Sequence, residues 1–292
     1  MTTQRPHRLT ALVTAMLLAL GFGLTACTAQ HGPDGTAPTS GPSASATADA
    51  YTAPNRATVA ALPEAQYDAV IGGLVPYYQA TIPKTADEAY TIRRDAPLYG
   101  DDRSTPVARL SADNFLGTPT VVVPVKVSGA WALIMTPARQ ALPSVTKGGA
   151  AAQSAAWVRR DLLRKKTSLE DHVVISAAKQ TLSIVHADGT TVEEFPAGVG
   201  ATGTPTPTGV IGYIQARYLD PAQQQTTHPI QLTTLHSAAA DEPYGGQDGG
   251  LIGVHYQSVA RGAISHGCVR LDGTAVDAVD ALPLGTIVQI VA

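Results

Sequence analysis

A histidine at the end of an apolar run and a thiol 13 positions later make up the part of this sequence suited to covalent chemistry. They lie in Leu251-Ile252-Gly253-Val254-His255 and in Ser265-His266-Gly267-Cys268-Val269-Arg270-Leu271. A thiol becomes a useful nucleophile when a base takes its proton or a cation stabilises the thiolate. His255 and His266 can each play either part. The peptide amides around Gly267 can form an oxyanion hole, because glycine lets the backbone approach a tetrahedral intermediate closely. Two other readings of Cys268 compete with this one. A buried structural thiol sits badly with the Ser, His and Gly that precede it and the Arg that follows. A metal site built from His255, His266 and Cys268 lacks any Cys-x-x-Cys or His-x-x-x-His spacing. His172, His186, His228 and His236 have no such company and read as ordinary surface or strand histidines.

This pattern resembles the L,D-transpeptidases with a YkuD-type catalytic domain, which carry a histidine after a short strand and then Ser/Thr-His-Gly-Cys, an apolar residue, and Asn or Arg. The order of upstream features is similar too: His172 to Val185, a hairpin, Phe195-Pro196, Gly198-Val199-Gly200 and Thr206-Pro207-Thr208-Gly209. The likeness covers roughly the last 120 residues. Residue by residue it implies that Cys268 is the nucleophile and His255 the general base that later protonates the departing amine. The amides of His266, Gly267 and Cys268 would hold the oxyanion. Ser265 and Arg270 would shape the site or contact substrate carboxylates, where Arg offers a bidentate fork. Tyr244, in Glu242-Pro243-Tyr244-Gly245-Gly246, would belong to a lid, or is a surface-loop tyrosine.

The implied reaction is acyl transfer on peptidoglycan stem peptides. Cys268 would form a thioester at diaminopimelate with release of D-alanine, and the amine of a second stem would resolve it into a cross-link. The resemblance implies no metal and no organic cofactor. Water as acceptor would make an L,D-carboxypeptidase, and a protein amine would make a wall-anchoring enzyme. A non-catalytic cell-wall-binding lipoprotein is the reading from a different class. The sequence departs from the family in two places: Tyr256 follows His255 where glycine or serine is usual, and the gap to Cys268 is shorter.

The elements that must position these residues are mostly strands. Residues 166–292 read as a β-sandwich-like catalytic domain, with runs at His172–Ser176, Thr181–His186, Thr191–Phe195, Gly209–Gln215, Ile230–Leu235, Leu251–His255 and Thr286–Val291, and one helix over Thr274–Leu282. Asp188-Gly189 signals a hairpin. Residues 56–165 open with a helical stretch over Ala57–Ala80, interrupted by Pro63 and Pro76, and continue as short β runs, which suit a small β domain. Its segment Ala96–Leu163 resembles a bacterial SH3-type module, with a nondescript β domain as the alternative.

The second cysteine carries a separate expectation. Arg5, His7 and Arg8, an uncharged run from Leu9 to Ala26, and Leu24-Thr25-Ala26-Cys27 read as an export signal over residues 1–26. A plain transmembrane anchor is disfavoured by Gly21 and Gly23 and by few following basic residues. Leu-Thr-Ala-Cys resembles the lipobox of bacterial lipoproteins, which makes Cys27 the lipidated first residue, on the outer face of the cell membrane. Residues 27–55 are nearly all small, Pro and Gly, and read as a flexible tether with a reach of roughly 30 Å. The 292-residue chain has 20 basic and 23 acidic residues, a formal charge of -3, which argues against a nucleic-acid partner. Cleavage before Cys27 would leave Cys268 as the single thiol in an oxidising compartment, with no internal disulfide partner.

Overall fold

Short runs of β-branched and aromatic residues, broken every few positions by Gly, Pro, Asp or Asn, dictate a mainly β molecule, as expected. The computed structural model describes residues 51–146, 149–237 and 250–292. The expectations for Cys27 and Tyr244 therefore lie outside the described residues. Thr52–Ala292 form one compact unit with two apolar cores. No described helix is long and apolar enough to cross a membrane.

The helix expected over Ala57–Ala80 is confined to α1 (Arg56–Ala60). Asn55 caps it, its side-chain oxygen accepting from the Thr58 N–H at 2.8 Å. Pro63 then arrives before the helix can extend, and Gly72, Gly73 and Pro76 follow. The chain instead turns and forms β1 (Val75–Tyr77). The upstream strands follow as β2 (Glu88–Ile92), β3 (Ala96–Tyr99), β4 (Pro106–Leu110), β5 (Val121–Val122), β6 (Pro124–Ser128), β7 (Trp131–Thr136), β8 (Gln153–Arg159) and β9 (Leu163–Ser168). They make one sheet in the order β4-β3-β8-β7-β6, with β1 also on β8, and a smaller one in the order β5-β2-β9. Leu98, Ile134, Ala156 and Val158 lie at the centre of this upstream core, each fully buried.

The downstream elements are β10 (Asp171–Ser176), β11 (Thr181–His186), β12 (Thr191–Pro196), β13 (Gly198–Val199), β14 (Val210–Asp220), β15 (Gln225–His236), β16 (Leu251–Tyr256), β17 (Val269–Leu271), α2 (Gly273–Asp280) and β18 (Ile287–Val291). The strand order is β12-β11-β10-β18-β14-β15-β16-β17-β13. β10 and β11 are joined residue for residue, His172 to Val185 and Val174 to Ser183, so alternate side chains turn inward. Val210–Tyr213 of β14 pair with β18, whereas its later half from Ile214 onward pairs with β15, with bulges on the way. One long strand thus serves both halves of the sheet, as a bulged strand that bends can do. Val173, Ile175, Ile252, Val254, Val269 and the α2 residues Val276 and Val279 fill the core, each fully buried. Burial of each such side chain contributes about 1.5–3 kcal/mol.

Polar contacts join the two cores. The buried Tyr213 hydroxyl donates to the Val121 carbonyl at 2.9 Å, the His236 Nε2 to the Pro137 carbonyl at 2.8 Å, and the Thr234 hydroxyl to Gln153 Oε1 at 2.7 Å. His236 is a strand histidine, but fully buried.

Candidate active site

β16 and β17 run parallel as neighbours, with Val254 opposite Val269 and His255 opposite Arg270. Side chains alternate along a strand, so Gly253 and His255 of β16 share one face of the sheet with Cys268 and Arg270. A chain linking parallel neighbours must return to the starting end, which takes about a dozen residues or more. Residues 257–268 do this as a loop, and Gln257 N–H to the Leu271 carbonyl at 2.9 Å fixes its start. The short spacing from His255 to Cys268 therefore closes.

Cys268 is half-buried, and its sulfur accepts from the Gly253 N–H at 3.4 Å. Burial pushes the Cys268 thiol up from its ordinary pKa, with the Gly253 amide and the Arg270 charge pulling the other way. His255 is half-buried too, and burial pushes its imidazole below the ordinary value; its bond to the Tyr256 carbonyl works against that and Arg270 adds to it. Both shifts favour a neutral thiol beside a neutral imidazole over an ion pair. His255 Nδ1 lies 3.0 Å from the Tyr256 carbonyl oxygen. A carbonyl only accepts, so this bond assigns the proton of the neutral ring to Nδ1 and leaves Nε2 as the basic nitrogen.

The segment ahead of the thiol is clamped from below. Ser265 is 1% exposed, and its hydroxyl accepts from the Gly200 N–H at 2.7 Å. Thr204 donates to the Ser265 carbonyl at 3.2 Å, and Thr206 donates to the Gly267 carbonyl at 2.7 Å. In a trans peptide the C=O and N–H point opposite ways. Thr206 thus turns the Cys268 N–H away from itself by holding the Gly267 oxygen. Gly267 has φ +103°, and a Cβ there would come within 3.3 Å of Ile252, so both backbone and space demand glycine. His266 is exposed beside it. Ser265 is therefore enclosed in the fold, while Arg270 is half-buried on the Cys268 face of the sheet.

Above this face lies a cleft of about 360 Å³ whose walls include Tyr67, Phe115, Tyr218, Ile230, Leu232, Gly253, His255 and Cys268. Among the described residues, no group of three or more His, Cys, Asp and Glu is placed to hold a metal ion. A mobile proton, a soft nucleophile and directed backbone amides are the equipment for acyl transfer.

Residues 170–290 match the family model of the L,D-transpeptidase catalytic domain, YkuD. This part of the chain is similar to an L,D-transpeptidase catalytic domain. The match takes in Gly253, His255, Cys268 and Arg270. No curated protein matches the chain. Among solved structures, it is similar to L,D-transpeptidase 1 of Mycobacterium tuberculosis, at 16% identity over 48% of this chain and 78% of that one, with a TM-score of 0.31. It is also similar to an L,D-transpeptidase from Mycobacterium smegmatis, at 16% identity over 59% and 91% of the two chains, with a TM-score of 0.34. A third is an L,D-transpeptidase solved in complex with imipenem, at 13% identity over 76% and 99%, with a TM-score of 0.35.

Several residues of the candidate site had no functional reading from sequence. Thr204 was not singled out, and Thr206 entered only with the Thr206-Pro207-Thr208-Gly209 run of the resemblance; the residue types of this stretch suit a loop and give no hint of the clamp. Gly253 did carry a signal, since glycine inside a strand marks close approach of another group. Tyr67 and Phe115 belong to turns far upstream and had no signal at all.

Proposed function

We propose that this protein is a peptidoglycan L,D-transpeptidase working through a thioester on Cys268. His255 Nε2 takes the thiol proton as the sulfur attacks the carbonyl at the L-centre of diaminopimelate in a tetrapeptide stem. The carbonyl oxygen gathers negative charge against the amides of Gly267 and Cys268. Collapse of this intermediate breaks the peptide bond, the imidazolium gives its proton to the departing nitrogen, and D-alanine leaves. The side-chain amine of diaminopimelate in a second stem then attacks the thioester, passing its proton through His255 back to the sulfur. The product is a cross-link between two third-position residues. Arg270 serves as the anchor for a substrate carboxylate.

What supports this reading is one arrangement: thiol, imidazole and Arg270 on a single sheet face under a cleft, within the segment that matches the transpeptidase domain. The same proposal holds the enzyme outside the cytoplasm by a lipid on Cys27, on the strength of the Leu24-Thr25-Ala26-Cys27 motif. Intact-mass spectrometry of the protein mixed with a disaccharide-tetrapeptide tests the chemistry. The expected result is a Cys268 adduct with loss of D-alanine that is absent from Cys268→Ala. Dimers among the products identify an amine acceptor, and tripeptide alone identifies water. A folded protein with neither adduct nor turnover sinks the proposal. For the anchor, Cys27→Ala should move the protein from the membrane fraction to the soluble one.

A further inference from the structure

We propose that the upstream β region completes the substrate cleft: Tyr67 and Phe115, with Tyr218 of β14, form an aromatic wall that packs on the aliphatic part of a stem peptide beside the bond Cys268 attacks. This rests on the transpeptidase reading above. All three rings line the same cleft as Cys268 and His255. Tyr67 and Phe115 meet edge to face with centroids 4.9 Å apart, and Phe115 and Tyr218 do so at 5.8 Å. Such a row presents one continuous apolar surface running from the upstream region to the transpeptidase domain.

Tyr67 and Phe115 remain 40% and 42% exposed, which is costly for apolar rings that have only a packing role. Their backbones are nevertheless braced. Asn114 accepts from the Leu116 N–H, the Thr118 N–H and the Thr118 hydroxyl, and its own N–H donates to the Thr118 carbonyl, so the turn carrying Phe115 is fixed. The Tyr67 turn is held by the Glu64–Arg109 ion pair and by Ala69 N–H donating to the Gln66 carbonyl. Exposed rings on rigid turns are pre-organised, which lowers the ordering cost of binding.

The chemistry of the lining selects the ligand part. Among the described residues, no Asp, Glu, Lys or Arg lines the cleft, so this wall meets the methylene and methyl groups of the stem and leaves its carboxylates to groups outside the wall. Its 360 Å³ is at the small end of small-molecule sites, which suits a dipeptide-sized segment and not a glycan strand. The diaminopimelate methylenes and the D-alanine methyl have that character.

The test measures binding apart from chemistry. Full-length protein carrying Cys268→Ala is titrated calorimetrically with a disaccharide-tetrapeptide, alone and with Tyr67→Ala, Phe115→Ala or both. The double change should weaken Kd by about tenfold, while Tyr67→Phe, which keeps the ring, binds as tightly as the parent. Unchanged Kd in the folded double variant, or equal loss with Tyr67→Phe, overturns the wall. D-Alanine release by the protein with Cys268 intact is followed in parallel. Ring-dependent binding without release overturns the transpeptidase reading and leaves the wall standing. Release with ring-independent binding does the reverse, and absence of binding throughout overturns both.

Discussion

Gly253 and Cys268 face each other across the parallel β16–β17 pair: the Gly253 N–H donates to the sulfur at 3.4 Å, and a Cβ on Gly253 would lie 3.8 Å from it. In the proposed mechanism the missing side chain keeps open the space for the substrate carbonyl, and the amide steadies the sulfur. Gly253→Ala would also bring a methyl within 3.3 Å of Ile230. The φ of Gly253 is not in the left-handed region, so the backbone tolerates alanine. The expected outcome is a folded protein whose kcat/KM for the tetrapeptide falls by about 100-fold, since small misplacement at the reacting centre has that effect. A variant with wild-type kinetics would show that nothing approaches the sulfur from this side.

The pH dependence follows from the two shifted groups. Burial raises the Cys268 thiol, so the free enzyme forms thiolate only above the ordinary thiol range. Burial lowers His255, so its imidazole stays neutral, and able to act as base, down past the ordinary histidine value. Alkylation of Cys268 by iodoacetamide should rise with pH and inflect on the alkaline side of a free cysteine. Turnover should instead be lost only on the acid side of the ordinary histidine range. Coincident inflections in the two profiles would mean a preformed thiolate–imidazolium pair. His255→Ala should lower turnover by about 10²–10⁴-fold, the usual worth of a placed general base.

The fold class was legible because strand periodicity is a local property. His172–Ser176 and Thr181–His186 alternate cleanly and appear as β10 and β11 at nearly those bounds. Of the interrupted helical stretch expected over Ala57–Ala80, only Arg56–Ala60 is helical, and it stops ahead of Pro63, one of the two prolines the sequence already marked as breaks. β9 was hidden by Arg164-Lys165-Lys166, a charged run that still pairs with β2 from Glu88 to Ile92. In the candidate site, His255 and the Ser265–Arg270 run could be read together because they lie close in sequence. Tyr67 and Phe115 were not, because nothing local in a turn records which distant cleft it borders.

In the proposed mechanism Thr206 is a positioning residue, acting on the Cys268 amide through the Gly267 carbonyl to which its hydroxyl donates at 2.7 Å. Thr206→Val keeps the shape and removes the hydroxyl, leaving that buried carbonyl unpaired at a cost of about 1–3 kcal/mol. If the hydroxyl aims the Cys268 N–H, kcat should drop by about 10–100-fold with KM little changed. Thr206→Ser restores the donor and should recover most of the rate. A loss of melting temperature without a change in kcat would reduce Thr206 to a structural role.

The upstream and downstream β regions should unfold together. Their joint holds the Tyr213–Val121, His236–Pro137 and Thr234–Gln153 hydrogen bonds, all buried. It is also sterically tight: Gly285, at φ +101°, leaves a Cβ only 2.5 Å from that of Ala89. Gly285→Ala therefore meets both a strained backbone and a clash, and should lower the melting temperature sharply. Tyr213→Phe leaves the Val121 carbonyl unsatisfied and should cost about 1–3 kcal/mol while sparing kcat. Scanning calorimetry of the full chain should give a single transition that both substitutions shift as a whole. Two separate transitions, with only the later one moved by Tyr213→Phe, would show that the joint does not couple the cores. In that case a chain truncated to residues 166–292 would fold unaided, whereas coupling predicts that it aggregates.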